Sequence, residues 1–215
     1  AAAAEWDAEF RADLESFLDA ELIAACVASG IRERPPIEGA AYVAAVDPSG
    51  GGADAFTLAI AHADHDTDPP RVVLDCVRGW RTPNVETVVA EIADHLTRYG
   101  INEVIGDKYA GEWVPAAFRR HGITYEPAGW TRSAAYLELH PLIATGRAVL
   151  LDHAALQAEL RALERAAPYA ADGTPPTIRR GGTMTTRTRR RWRSSPPRRP
   201  HNSSPFDPAA IVSFA

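Results

Sequence analysis

The sequence predicts an α/β domain built on a mixed sheet, an antiparallel three-strand meander extended by parallel strands and flanked by helices. Three observations lead there. Between residues 41 and 80 the apolar residues fall into three runs of strand length joined by turn-forming segments. After residue 82, segments of helical and strand character alternate, which requires crossover connections and therefore parallel strands. Finally, Asp47 and Asp107 each stand where an apolar strand runs out into a glycine-containing turn.

The elements follow in order. Trp6, Phe10, Leu14, Phe17, Leu18 and Leu22 share one helical face, so residues 5–28 read as an amphipathic helix, and Arg34-Pro35-Pro36 ends it as an extended linker. Strands are predicted at 41–47, 55–62 and 71–80. Thr82-Pro83 opens a helix whose face is Val85, Val88, Val89, Ile92 and Leu96, closed by Gly100. A strand at 101–106 leads to a helix carrying Trp113, Val114, Ala117 and Phe118, closed by Gly122. A short strand at 123–126 precedes a helix from Ser133 to Thr145, with Pro141 as a predicted kink. One more strand spans 147–151, and Asp152 is expected to cap a helix with Leu156, Leu160 and Leu163 on its face. This is the element order of an RNase H-like fold.

The chain's 215 residues suffice for one domain with a full core. Cys26 and Cys76 stand in no metal-finger or disulfide spacing, which points to a reducing compartment. No apolar run approaches a membrane span and no signal peptide is visible. The chain opens on four alanines without a methionine, as a fragment of a longer protein would. Its net charge of −5 hides a split. Residues 1–178 carry 14 basic against 27 acidic residues, whereas residues 179–215 carry nine arginines against one acid, Asp207. From about residue 166 the periodicity dissolves into Ala, Pro, Arg, Thr and Ser, too little apolar surface to offset ordering entropy. Disorder is expected there.

A carboxylate at a strand end, followed by small residues, suits a hard divalent cation, and two on neighbouring strands begin a two-metal phosphodiester-cleaving site. Either aspartate alone more often just starts a turn. Together they carry a resemblance. Glu5-Trp6 with Phe10-Arg11, the stretch Tyr42 to Ala61, the stretch Val104 to Val114 (VIGDKYAGEWV) and Arg132 to Tyr136 make residues 5–165 resemble the nuclease domain of the large terminase subunit of tailed bacteriophages. The resemblance implies a metal-dependent endonuclease that cuts concatemeric viral DNA during packaging. Asp47 and Asp107 would be catalytic ligands of two Mg²⁺ or Mn²⁺ ions. Implied partners are double-stranded DNA, the terminase ATPase domain, the small terminase subunit and the portal, in the cytoplasm of the bacterial host and with no membrane. Residues 1–36 would then be the helix and linker from the motor, 37–165 the nuclease domain, and 166–215 a tail.

Two departures stand out. No Gly-x-x-x-x-Gly-Lys-Ser/Thr phosphate loop exists, and Lys108 is the only lysine, so ATP hydrolysis by that route is excluded for this piece. The family's third acidic element, His-Asp-Asp before a final Ala-rich helix, is also missing. The codons suggest why. Met184 is ATG and threonine codons begin AC, so one nucleotide earlier Thr185 reads as aspartate, while Thr183 and Met184 permit His and Asp. The same shift admits Pro-Pro-Gly-Gly at 179–182. A frameshift near Arg165 is therefore our reading of the tail, with the third ligand expected at Thr183–Thr185; the rival is a genuine Arg-rich nucleic-acid-binding tail. With two carboxylates left, this chain is expected to cleave weakly or not at all.

Other candidates rank lower. Lys108, Arg132 and Ser133 are possible substrate contacts, the last two at a helix start where free N–H groups hold phosphate. A surface ion pair for Lys108 and ordinary N-capping by Ser133 are the plainer readings. Asp54 more often caps a turn than reaches the metal site. The stretch His62 to Asp68, rich in His and Asp, reads as a solvated hairpin loop. Trp113, Tyr125 and Trp130 read as core rather than base-stacking platforms. Two function classes remain, a DNA endonuclease domain and a catalytically dead remnant or docking module that keeps the fold. A recombinase or transposase nuclease on the same fold is disfavoured by the wording of the motifs.

Overall fold

A computed structural model describes residues 15–48, 55–81, 84–107, 111–165 and 178–180. Its framework is a seven-stranded mixed sheet. Its strands are β2 (Val27–Ala28), β3 (Tyr42–Asp47), β4 (Phe56–Asp64), β5 (Arg71–Trp80), β6 (Glu103–Gly106), β7 (Thr124–Pro127) and β8 (Ala148–Leu151), in the spatial order β2-β8-β5-β4-β3-β6-β7. The β3-β4 and β4-β5 pairs are antiparallel, so the predicted meander is present. β6 and β7 extend it in parallel beyond β3, and β8 and β2 extend it in parallel beyond β5. A second, three-stranded sheet joins β1 (Glu15–Ser16), β9 (Leu163–Arg165) and β10 (Ile178–Arg180).

Among the described residues five helices cover the large sheet: α1 (Ala20–Cys26), α2 (Val85–Arg98), α3 (Trp113–Arg120), α4 (Arg132–Ala144) and α5 (Ala154–Arg161). Side chains alternate across a strand, and the two faces therefore carry two separate cores. On one face Ala45, Ala59, Ala61 and Leu74 meet Ile23 of α1, Leu139 and Ile143 of α4, and Leu156 and Leu160 of α5. On the other, Val46, Leu58, Ile60 and Val104 meet Val88, Ile92 and Leu96 of α2 and Val114 and Phe118 of α3. These α2 residues are the ones its periodicity singled out. Each fully buried aliphatic side chain contributes about 1.5–3 kcal/mol relative to exposure.

The N-terminal segment departs from the predicted long helix. Asp19 accepts from the Glu21 N–H at 2.7 Å and caps a helix of only seven residues. Val27 then turns extended because β8 offers it a parallel partner at Leu150. Phe17 and Leu18 are buried ahead of the helix, with the Phe17 N–H donating to the Leu163 carbonyl at 2.9 Å. Tertiary pairing here outweighs helical periodicity: Phe17, Leu18, Ile23 and Cys26 join the first core, whereas Leu22, predicted on the same face, is exposed. The rest of that predicted helix, residues 5–14, lies outside the described residues.

The capping assignments also shift by one or two residues. Thr131, not Ser133, caps α4, and His153, not Asp152, caps α5. Asp152 instead accepts from the Gly30 N–H at 2.9 Å and holds the linker after β2. Leu163 is buried as predicted, but in β9 rather than in the helix. The predicted disorder after residue 166 does not hold for 178–180, where Ile178 is buried and β10 pairs with β9. A single apolar residue and a paired edge suffice to hold three residues in an otherwise polar stretch. The remainder of that tail is outside the described residues.

Candidate active site

Asp47 ends β3, and Asp107 follows β6. These strands pair in parallel with Ala45 opposite Ile105 and Val46 opposite Gly106, so the next position on each is an aspartate. Neighbouring strands run about 4.8 Å apart, which makes the two residues direct neighbours at the carboxyl ends of the central parallel pair. Both share the parity of Ala45 and Ile105, which pack into the first core, and so both belong to the α4 face. The apolar runs end there because a carboxylate must keep water or a cation. Asp47 is half-buried and Asp107 exposed.

Arg132, the first residue of α4, reaches this edge. Its Nη2 donates to Asp47 Oδ2 at 2.8 Å, with the Arg132 side chain 60% and the Asp47 side chain 47% exposed. Such a pair is worth roughly 0–1 kcal/mol, so it positions charge more than it stabilises the fold. Ser133 turns away to a different task. Its Oγ accepts from the Ile178 N–H at 3.3 Å and donates to the Ile178 carbonyl at 3.4 Å, pinning β10 beside the same helix start.

Tyr125 of β7 buttresses Asp107 from the opposite face. Its hydroxyl donates to the Asp107 carbonyl at 2.9 Å. Burial, followed by the charges of Asp107 and Asp47, pushes the phenol well above its ordinary range. Gly111, at φ 75°, occupies a left-handed conformation that favours glycine. Trp113 packs against it and is 45% exposed, against the expectation of a core residue, because it opens α3 at the sheet edge. Trp130 and Tyr125 are half-buried against the two cores, as expected.

The His/Asp-rich stretch is not all loop. β4 continues through Asp64, whose carboxylate is held below its ordinary range chiefly by a hydrogen bond from Arg71 at 2.9 Å. His62 is buried, and its Nδ1 lies 2.6 Å from Asp75 Oδ2. Asp75 is the extra residue of a β-bulge on β5, invisible in a run of apolar residues. His65, Asp66 and Asp68 remain exposed. Lys108, Asp54 and Thr183 to Thr185 lie outside the described residues.

Two hard oxygen donors on adjacent strand ends, one of them already drawing a cationic guanidinium, fit a Mg²⁺ or Mn²⁺ ion by chemistry. No protein-family model matches the sequence, and no curated protein matches it. The structure, however, matches the large terminase nuclease from thermophilic phage G20c with a TM-score of 0.62 and 16% identity, over 79% of this chain and 90% of that one. The G20c nuclease has also been crystallised with bound magnesium and with bound cobalt. The nuclease domain of the large terminase subunit of bacterial virus Sf6, determined with manganese, gives 0.55 and 15% over 77% and 88%. The HK97 bacteriophage large terminase gives 0.56 and 15%, over 77% of this chain but 39% of that one. The fold is that of the large terminase nuclease domain, and RNase H-like as the element order predicted.

Proposed function

We propose that this chain is the nuclease domain of a phage terminase large subunit, a metal-dependent DNA endonuclease that cuts concatemeric viral DNA during packaging. The observation that carries the reading is the register of β3 and β6, which makes Asp47 and Asp107 neighbours on one sheet face in a terminase nuclease fold. When bound, a pair of Mg²⁺ or Mn²⁺ ions supplies an activated water and charge stabilisation of the leaving oxygen. Asp47 and Asp107 would hold the cations, and Tyr125 fixes the backbone from which Asp107 projects. Arg132, which already reaches Asp47, would give an approaching scissile phosphate a positive contact; Lys108, next to Asp107 in sequence, is a further candidate. Ser133, at the same helix start, is the remaining candidate contact.

The third ligand is expected at Thr183 to Thr185 and is absent from the chain as given. A shift near Arg165 rewrites residues 178–180 as well, so restoring the frame replaces β10 together with Thr183 to Thr185, and the restored His-Asp-Asp would complete the set. Double-stranded DNA, the ATPase motor, the small terminase subunit and the portal are the partners this role requires, in the host cytoplasm. Among the described residues no helix is long and apolar enough to cross a membrane. The acidic body repels DNA, so binding relies on cations, local basic groups and the motor.

The alternative, a module that keeps the fold without the chemistry, is favoured by one observation: Arg132 already engages Asp47. Plasmid nicking separates the two. Restored and given-length chains are incubated with Mg²⁺ or Mn²⁺; cleavage by the restored chain that disappears in Asp47→Asn supports the nuclease, and its absence in the restored chain supports the module.

A further inference from the structure

On the sheet face away from the aspartate pair, Glu33, Cys76 and His95 bring a carboxylate oxygen, a sulfur and an imidazole nitrogen within 4.8 Å of one another. Each comes from a different element. Glu33 lies in the connection from β2 to β3, Cys76 lies in β5, and His95 lies in the last turn of α2. Cys76 directly follows the bulge residue Asp75, and a bulge re-aims the side chains beside it. The Trp80 ring stands edge-on to His95 at 6.2 Å and orients the imidazole.

We propose that Glu33, Cys76 and His95 form a binding site for a divalent metal ion of the zinc class, with the fourth position open to water. The donor set decides the class. One thiolate, one imidazole and one carboxylate is a combination that zinc-type ions accept and that Mg²⁺, which takes oxygen, does not. Bonds of about 2.0–2.3 Å at tetrahedral angles put ligand atoms roughly 3.3–3.6 Å apart, so the cluster must contract. Cys76 is fully buried and anchors it, whereas half-buried Glu33 and His95 can rotate inward.

The protonation states support binding at His95 and oppose it at Cys76. Burial, with the charges of Arg98 and Arg78, holds the His95 imidazole below its ordinary value and leaves a ring nitrogen unprotonated. Burial, reinforced by Glu33, pushes the Cys76 thiol up to about 11, so coordination must expel its proton to solvent. Arg78 is ion-paired with Glu33, and Arg98 contacts His95 Nδ1. An incoming ion has to displace Arg98 from His95 and Arg78 from Glu33, and the affinity is set by that competition.

Co²⁺ titration of the full chain tests this without reference to DNA cleavage. A thiolate-to-cobalt charge-transfer absorption is expected, displaced by Zn²⁺; ions held by the aspartates have oxygen ligands and give no such band. Cys76→Ser should abolish the band and Cys26→Ser should retain it. His95→Gln and Glu33→Gln should each weaken apparent affinity at least tenfold, and Arg98→Gln should strengthen it. Absence of the band in the unaltered chain, its survival in Cys76→Ser, or indifference to His95→Gln would each overturn the proposal. If Cys76→Ser does not fold, the half-buried His95→Gln decides alone. Loss of nuclease function with the band intact would count only against the reading of the opposite face.

Discussion

The Tyr125 hydroxyl lies so close over Gly106 that a Cβ on that glycine would clash with the oxygen and with the ring behind it. The same hydroxyl donates to the carbonyl of the next residue, Asp107. A metal-binding candidate is thus held in place by a phenol that only glycine admits.

Gly106→Ala should therefore destabilise the domain by about 1–3 kcal/mol, the usual cost of overpacking, and displace Asp107 as well. Tyr125→Phe keeps the ring and loses one hydrogen bond, about 0.5–1.5 kcal/mol. Urea unfolding of both variants checks the order; a neutral Gly106→Ala would mean the ring moves aside freely.

Asp47→Asn and Asp107→Asn should each lower divalent-ion affinity and, in a chain with its third acid restored, reduce cleavage by orders of magnitude. An under-coordinated cation activates water poorly. Isothermal titration with Mn²⁺ and single-turnover cleavage read the two effects separately. Full activity in either variant would remove that residue from the site.

Arg132→Ala distinguishes competition from catalysis. The exposed ion pair contributes little to stability, so unfolding should shift by less than about 1 kcal/mol. Metal affinity should rise, because Asp47 loses a competing cation. Cleavage should nevertheless fall if the guanidinium contacts phosphate. A variant that binds metal better and also cuts faster would make Arg132 an inhibitor.

Asp75 links stability to pH. Burial raises its pKa above 3.8, against the hydrogen bond and charge of His62 and the charge of Arg34. One carboxylate oxygen has no hydrogen-bond partner among the described residues. A raised folded-state value means stability fully present below the unfolded value and lost as pH rises through the folded one. Asp75→Asn should gain relative to the unaltered chain between pH 4 and the raised value, by up to about 1.4 kcal/mol per pH unit. Denaturant melts across that range test it, and a flat difference would show that His62 and Arg34 compensate fully.

The sequence by itself determined the order of the elements, the meander and the two strand-end aspartates, because strand periodicity, turn residues and helical faces are local properties of the chain. Val88, Ile92 and Leu96 in α2 and Asp47 at the end of β3 needed no distant partner to be recognised. What depended on a partner far along the chain was decided only by the tertiary structure. Val27 leaves the helix because Leu150 pairs with it, Ser133 turns from its cap to the backbone of Ile178, and His62 is buried because a bulge delivers Asp75. Glu33, Cys76 and His95 converge from three elements with no spacing to announce them. Asp47 and Asp107, 60 residues apart, became neighbours through the register of a parallel strand pair, which follows from packing on both faces of the sheet and not from either motif.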